Sequence, residues 1–177
     1  MKVVLFQPQI PQNTGNIVRT CSVTGASLLL VKPLGFSTSS RQLRRAGLDY
    51  WEEVDISTTT DLDFYLQNTT ATPYFLSSHA KKSYTEAKFD KDALLIFGSE
   101  SHGLPKKYHE KYSKNFYTIP MKKNARCLNL ASAAAIVLYE ALRQHNFCSI
   151  YTEAEEAMNS LIESASLSPI SLPASLP

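Results

Sequence analysis

Short unbroken runs of apolar residues, separated by polar stretches rich in turn residues, set the pattern of this chain. Runs of this kind are typical of strands buried on both faces of a parallel sheet. The runs predicted as strands are Val3–Phe6, Ser27–Val31, Val54–Ser57, Tyr74–Ser77, Ala93–Phe97 and Phe116–Ile119.

The segments between the strands carry apolar residues at three- and four-residue steps, as amphipathic helices do. The clearest begins at Asn129 and runs to Gln144. A second begins near Ile17, with Asn13 or Thr14 as its N-cap. Further helices are predicted over Asp61–Gln67, Pro105–Tyr112, Arg41–Gly47 and Thr152–Ser164. Strands that alternate with helices predict an α/β fold, a mainly parallel sheet with helices on both faces.

The 177 residues are enough for one domain with its own core. We assign residues 1–150 to that domain and residues 151–177 to a C-terminal extension, a short helix followed by a flexible tail. The tail, from Ser166 onward, is rich in Ser, Pro and Leu. Such a composition cannot bury much apolar surface.

Composition narrows the class of protein only modestly. A hydrophobic content of 44% argues against disorder, and a net charge of +2 permits a phosphate-bearing partner without requiring one. Cys21, Cys127 and Cys148 are widely spaced and odd in number, which favours neither disulfides nor a metal site. The sequence has no window of about 18 apolar residues. We therefore expect a soluble cytoplasmic protein without metal or membrane partner.

Polar loops follow the strands at Gln7–Asn16, Gly98–Pro105 and Pro120–Leu128. In an open parallel sheet, loops at the carboxyl ends of strands meet at one crevice, which is where ligands bind. Neither glycine-containing loop fits the dinucleotide or P-loop patterns. The helix that starts at Asn129 would add backbone N–H groups and a positive dipole end, which suit an electron-rich ligand.

These loops resemble the three ordered motifs of the SPOUT RNA 2′-O-ribose methyltransferases. The matching segments are Pro8–Arg19, Phe97–Pro105, Ile119–Met121 and Arg126–Leu130. Leu43–Tyr50 is similar to the small single-domain branch that modifies the tRNA wobble position. The resemblance extends from Met1 to Asn146, in order and nearly without gaps.

The resemblance implies a C-terminal trefoil knot, S-adenosylmethionine as methyl donor, and a homodimer whose active site spans the subunit interface. The implied reaction is 2′-O-methylation of the ribose of cytidine or uridine 34 in tRNA. Three alternatives stay open. In the first, the substrate is another tRNA or rRNA site. In the second, the protein is a catalytically weakened RNA-binding SPOUT protein. In the third, it is a regulator that binds a small nucleotide.

The resemblance also assigns residues. Leu76, Gly98, Ile119 and Cys127 correspond to the cofactor-binding positions; Arg19 and Asn129 correspond to catalytic positions, and Tyr139 lies near the site. Because a guanidinium is effectively always protonated, Arg19 is interpreted first as a phosphate clamp and oxyanion stabiliser and only second as a general base. The residues expected to contact RNA phosphates are Arg41, Arg44, Arg45, Lys122, Lys123 and Arg126. For the arginines of Arg41–Gly47, a merely solvated face is the alternative.

The sequence departs from the family pattern at several motif positions. Gln9 stands where Glu is common, and Ser99 and His102 stand where Pro and Arg are common. Cys127 replaces a serine, and a thiol is a weaker hydrogen-bonding group than a hydroxyl. We expect Glu100 to have a structural or site-lining role and His102 to be peripheral.

Overall fold

The computed structural model describes residues 1–37, 50–148 and 150. Within these ranges the strands are β1 (Lys2–Phe6), β2 (Ser27–Val31), β3 (Ile56–Thr59), β4 (Pro73–Leu76), β5 (Lys82–Ser83), β6 (Leu94–Phe97) and β7 (Phe116–Thr118). The α-helices are α1 (Pro11–Thr24), α2 (Leu62–Gln67), α3 (Lys106–Lys111) and α4 (Leu130–Gln144). The predicted helices at Arg41–Gly47 and Thr152–Ser164, and the tail, lie outside the described residues.

The strands form one sheet in the order β3-β2-β1-β6-β4-β7-β5, and every pairing is parallel. The predicted parallel α/β fold is thereby confirmed. β1 lies between β2 and β6, with Val4 opposite Leu29 on one side and Ile96 on the other. The chain first builds outward through β2 and β3 and then crosses to the other side of β1. The loops after β1 and β6 therefore leave the sheet side by side, where α/β proteins place their ligands.

Each face of the sheet carries its own apolar core, because successive strand side chains point to opposite faces. Val3 and Leu5 pack into the core that includes α1 and α4, whereas Val4 and Phe6 pack into the core beneath α2 and α3. In the described part of the chain, helices thus cover both faces, as predicted. Helix α4 is firmly anchored, since Val137, Leu138 and Ala141 on its inner face are all 0% exposed.

Helix α1 begins earlier than its hydrophobic pattern indicates. It starts at Pro11, and the cap position is Ile10, whose side chain makes no capping bond. The expectation that Asn13 or Thr14 caps this helix is therefore wrong. Proline is preorganised for the first helical position, so the helix extends through the polar motif.

Two strands also differ from the prediction. β3 lies two residues later than expected because Leu28 pairs with Ile56, so the parallel register begins at that residue. β5 was not predicted, since Lys82-Ser83 is a two-residue polar pair at the sheet edge and carries no apolar run.

In the described ranges, no helix is both long and apolar enough to cross a membrane.

Candidate active site

A cavity of about 500 Å³ opens at the carboxyl ends of β4, β6 and β7, beside the start of α4. Leu76 ends β4, Gly98 follows β6, Ile119 follows β7, and Cys127 precedes α4. All of these residues line the cavity. The fold thus brings the positions that the resemblance assigned to the cofactor to one place.

A chain of side-chain hydrogen bonds joins the three motifs at the cavity. The Glu100 carboxylate accepts hydrogen bonds from the backbone N–H of Gln9 at 2.9 Å and of Ile10 at 3.1 Å, and from Asn13 Nδ2 at 2.9 Å. Asn129 Nδ2 donates to Asn13 Oδ1 at 2.8 Å. Glu100 therefore accepts hydrogen bonds at the start of α1 although it lies in a segment distant in sequence. These contacts agree with the expected structural or site-lining role of this residue.

Asn129 also fixes the first turn of α4. Its Oδ1 accepts a hydrogen bond from Ala131 N at 2.8 Å, which is the usual N-cap contact. Asn13 is only 5% exposed, so water has little access to its side-chain amide, which bonds to Glu100 and Asn129 instead. The side-chain amide of Asn129 is thus hydrogen-bonded through both its nitrogen and its oxygen, and the residue lines the cavity.

The loop from Gly98 to Leu104 folds back tightly on the end of β6. Ser99 N donates to Gly103 O at 3.1 Å, and Gly103 N donates to Ser99 O at 2.9 Å. A Cβ placed on Gly98 would lie 2.2 Å from the Gly103 carbonyl carbon. Only glycine fits at this position, and its bare backbone forms part of the cavity wall.

Histidines are concentrated around the cavity, which is lined by His79, His102 and His109. The His109 ring stacks on Phe116 with centroids 4.0 Å apart, and burial, together with the neighbouring His79, lowers the pKa of His109. His102, which was expected to be peripheral, is exposed and lies on the rim of the cavity, where the tight loop places it. His79 and His109 belong to no motif, so only the tertiary structure could associate them with the site.

Arg19 and Tyr139 do not line the cavity within the described part of a single chain. Arg19 is exposed on α1, with its guanidinium 5.4 Å from the centroid of the Tyr50 ring. Tyr139 is 43% exposed on α4, 6.4 Å from the Phe147 ring. With about 1.5 Å of rise per residue, α1 carries Arg19 about 12 Å away from Pro11, and α4 carries Tyr139 about 15 Å away from Asn129. One subunit therefore does not bring these two predicted residues to the cavity.

The predicted RNA-contacting residues divide into two groups. Lys122, Lys123 and Arg126 are exposed in the loop between β7 and α4, whose residues Met121 and Cys127 wall the cavity. Arg41, Arg44 and Arg45 lie outside the described residues. The described group places positive charge in the loop that runs beside the cavity.

The cysteines lie in different environments. Cys21 is buried in the core with α1, and this burial raises the pKa of its thiol to about 12. Cys127 is exposed at the cavity. In the described ranges, no cluster of at least three His, Cys, Asp or Glu residues is arranged to hold a metal ion.

A parallel sheet with a cavity at the carboxyl ends of its strands, walled by backbone-rich loops, defines an α/β protein with a site for a small ligand. The particular family follows from the sequence comparison. The model of the SpoU rRNA methylase family matches residues 1–139, and the chain belongs to this family. The predicted membership of the RNA methyltransferases is thereby confirmed.

Individual relatives agree with this membership. A Geobacillus stearothermophilus protein, provisionally named a tRNA (cytidine(34)-2′-O)-methyltransferase, is 49% identical over 151 residues, 83% of this chain and 96% of that protein. A solved structure described as concerning 2-OH methylation of C/U34 on tRNA is 41% identical, with a TM-score of 0.77, and the match covers 82% of this chain and 95% of that one. An AdoMet-bound rRNA methyltransferase from Sinorhizobium meliloti is 27% identical, with a TM-score of 0.69, over 80% of this chain and 55% of that one.

Proposed function

We propose that this protein transfers a methyl group from S-adenosylmethionine to the ribose 2′-hydroxyl of cytidine or uridine 34 in tRNA. The observation that carries the proposal is the cavity at which Leu76, Gly98, Ile119 and Cys127 meet. Support comes also from relatives that match almost their whole length and whose names or descriptions concern methylation at nucleotide 34 of tRNA. We place the reaction in the cytoplasm, because Cys21 and Cys127 are free thiols, which persist in that compartment.

The cavity fits the proposed donor. Its volume of about 500 Å³ lies within the range of small-molecule sites, roughly 300–1,000 Å³. Apolar side chains such as Leu76 and Ile119 suit a flat heterocycle, and the bare backbone at Gly98 leaves amide groups accessible to it. When bound, the sulfonium supplies an electrophilic methyl group. The chain's own residues therefore have to orient the ribose, exclude water and handle one proton.

We propose in addition that two copies of the chain complete the active site. Arg19 and Tyr139 do not reach the cavity of their own chain, yet both are exposed on the surfaces of α1 and α4, which pack together. Val23 on α1 is 56% exposed and Ile136 on α4 is 36% exposed, which gives this surface an apolar component. In such a homodimer, Arg19 of the partner subunit clamps a phosphate and stabilises the forming oxyanion at the cavity.

Three further features belong to the proposal. The C-terminal segment forms the trefoil knot that the resemblance implies, and membership of the family is what supports it. Residues 1–150 are the methyltransferase domain, and residues 151–177 are an extension, so removal of residues 166–177 leaves folding and methylation intact. The basic residues Lys122, Lys123 and Arg126, with those of the Arg41–Gly47 segment, hold RNA phosphates.

The test of activity uses the purified protein, labelled donor and unmodified tRNA transcripts with C34 or U34. Nuclease digestion and mass spectrometry are expected to locate one methyl group on the ribose of nucleotide 34. The matched control is the same tRNA already carrying a 2′-O-methyl group at that nucleotide, which is expected to accept none. Absence of ribose methylation above blank refutes the proposal, and methylation of another tRNA or rRNA nucleotide instead corrects its substrate.

The shared site has its own test. An Arg19→Ala subunit and a subunit whose cavity is blocked by Cys127→Trp, a change at an exposed wall position, are each expected to be inactive as homodimers. Co-expression is expected to restore methylation, because one of the two active sites of the mixed dimer combines an intact cavity with an intact Arg19 of the partner subunit. Failure of the mixture to regain activity, with both variants dimeric by sedimentation, contradicts a site built across the interface.

A further inference from the structure

A hydrogen-bonded series of side chains lies on the exposed rim of the cavity. Ser101 Oγ is 2.5 Å from Gln9 Oε1 and 2.6 Å from His102 Nδ1. Ser101 and His102 are adjacent in the tight loop after β6, and both line the cavity. Gln9 comes from the loop after β1, so the series joins the two loops at the topological switch of the sheet.

The chemistry of these groups fixes which nitrogen of His102 carries the proton. The amide oxygen of Gln9 accepts but cannot donate, so the single hydroxyl proton of Ser101 is donated to it. Ser101 Oγ is then left to accept a hydrogen bond from His102 Nδ1–H. A neutral imidazole protonated at Nδ1 carries a free lone pair on Nε2. The loop therefore holds an oriented basic nitrogen at the edge of the cavity.

The proposed reaction needs such a group. A ribose hydroxyl must lose its proton as it is methylated, and a guanidinium such as that of Arg19 is a poor acceptor. The carboxylate of Glu100 is occupied by three hydrogen bonds. The ring of His109 is stacked on Phe116. Within the described part of the chain, His102 is the cavity histidine whose ring nitrogen makes a side-chain hydrogen bond.

We propose that His102 Nε2 accepts the 2′-hydroxyl proton during methyl transfer, an inference that rests on the proposed function. The ribose oxygen forms a bond to the methyl carbon as the carbon–sulfur bond breaks, and that electron pair stays on sulfur, leaving a neutral thioether. The O–H proton passes to Nε2, and the resulting imidazolium releases it to water. Ser101 and Gln9 act as positioning residues that hold the tautomer.

Other titratable groups around the cavity bear on the pH dependence of this step. Glu100 lies in the same loop as His102, His79 follows β4, His109 lies on α3, and Cys127 precedes α4. Every variant is therefore compared over the whole pH range.

The experiment measures the single-turnover rate of methylation at saturating donor and tRNA, from about pH 5.5 to about pH 9. The wild-type rate is expected to fall toward the acidic end of this range as an imidazole becomes protonated. His102→Gln is expected to lose about 100-fold in rate at neutral pH and to lose this acidic limb, while its donor affinity, measured by calorimetry, stays unchanged. His102→Arg, which places the residue common in the family, is expected to lose the same limb.

Three further variants separate catalysis from structure. Added imidazole is expected to rescue His102→Ala, which no merely structural role explains. Gln9→Glu keeps the acceptor atom and adds a negative charge to the series, so it is expected to move the acidic limb of the rate to higher pH. His145→Gln changes a histidine outside the cavity, bonded to the Phe89 carbonyl at 2.8 Å, and is expected to keep the wild-type profile.

The outcomes distinguish the two proposals. A His102→Gln enzyme with a rate within about threefold of wild type and the same acidic limb overturns the role of His102 and leaves the methyltransferase function standing. Absence of rescue by imidazole in a His102→Ala variant that still binds donor overturns it as well. A wild-type protein that binds donor but methylates no tRNA instead defeats the proposed function itself.

Discussion

The contact most informative about this fold is the Glu100 carboxylate at the start of α1, and we predict the effect of Glu100→Gln in detail. The carboxylate lies 90 residues from Ile10 in sequence, yet it accepts hydrogen bonds from Ile10 N, from Gln9 N and from Asn13 Nδ2. Ile10 supplies no side-chain cap of its own. Glu100 thus fixes the two residues that precede α1 and the Asn13 side chain in its first turn, and links the loop after β6 to that helix.

The expected magnitude follows from the hydrogen bonds that glutamine cannot reproduce. Glutamine has the same shape but a single acceptor oxygen, and its NH₂ group would face donors. A hydrogen bond to a charged group contributes about 1.5–3 kcal/mol, and Glu100 is only half-buried, so we expect a loss of about 2 kcal/mol in the free energy of unfolding. For a domain of this size, that corresponds to a melting temperature lower by about 4–8 °C.

The assay is thermal and urea unfolding of the wild type and Glu100→Gln, with donor affinity measured by calorimetry. Glu110→Gln is the matched control, because the Glu110 side chain is 66% exposed and its nearest ammonium, on Lys106, is 3.4 Å away. Surface ion pairs of this kind contribute about 0–1 kcal/mol. Donor affinity is expected to fall about tenfold in Glu100→Gln and to stay unchanged in the control.

Two results would refute this reasoning. Equal melting temperatures for Glu100→Gln and Glu110→Gln would show that the carboxylate does not stabilise the start of α1. Additive effects of Glu100→Gln and Asn13→Ala in a double-mutant cycle would show that the hydrogen bond between these side chains contributes nothing, whereas contacting residues are expected to couple.

Three other properties are open to direct measurement. Gly98→Ala is expected to lower the urea midpoint strongly and abolish donor binding, because its Cβ would lie 2.2 Å from a backbone carbonyl carbon; a wild-type midpoint would contradict the tight loop. In native protein, Cys127 is expected to react with a disulfide reagent at pH 8 while Cys21, whose pKa burial raises to about 12, reacts only on unfolding. The hydrogen bond from Lys107 lowers the pKa of Asp63 below its ordinary value of 3.8. The stability that this contact gives the folded protein is therefore fully present above pH 3.8, and it is lost as the pH falls through the lowered pKa. Asp63→Asn is accordingly expected to be less stable than wild type at pH 7 and equally stable in strong acid, as measured by urea unfolding.

The sequence alone determined the fold class and the location of the cavity. Local composition is enough for this, because a strand buried on both faces must be continuously apolar, as in Leu94–Phe97, and a helix packed on a sheet must repeat its apolar residues, as in Leu130–Gln144. Parallel strands also end at one edge of the sheet, so the loops that follow them converge. The particular cavity positions Leu76, Gly98 and Ile119 were assigned by the resemblance of the motifs, and the convergence of the strand ends explains why they meet.

Only the tertiary structure decided how the motifs hold one another. Asn129 and Asn13 are 116 residues apart, and no periodicity encodes a hydrogen bond over that separation. Loop geometry, set by the close approach of backbone at Gly98, turned His102 onto the cavity rim. The length of α1 likewise carried Arg19 away from the cavity of its own chain. Apolar patterns report which face of an element is buried, whereas the meeting of particular polar side chains depends on register, loop conformation and distance, which arise only when the chain has folded.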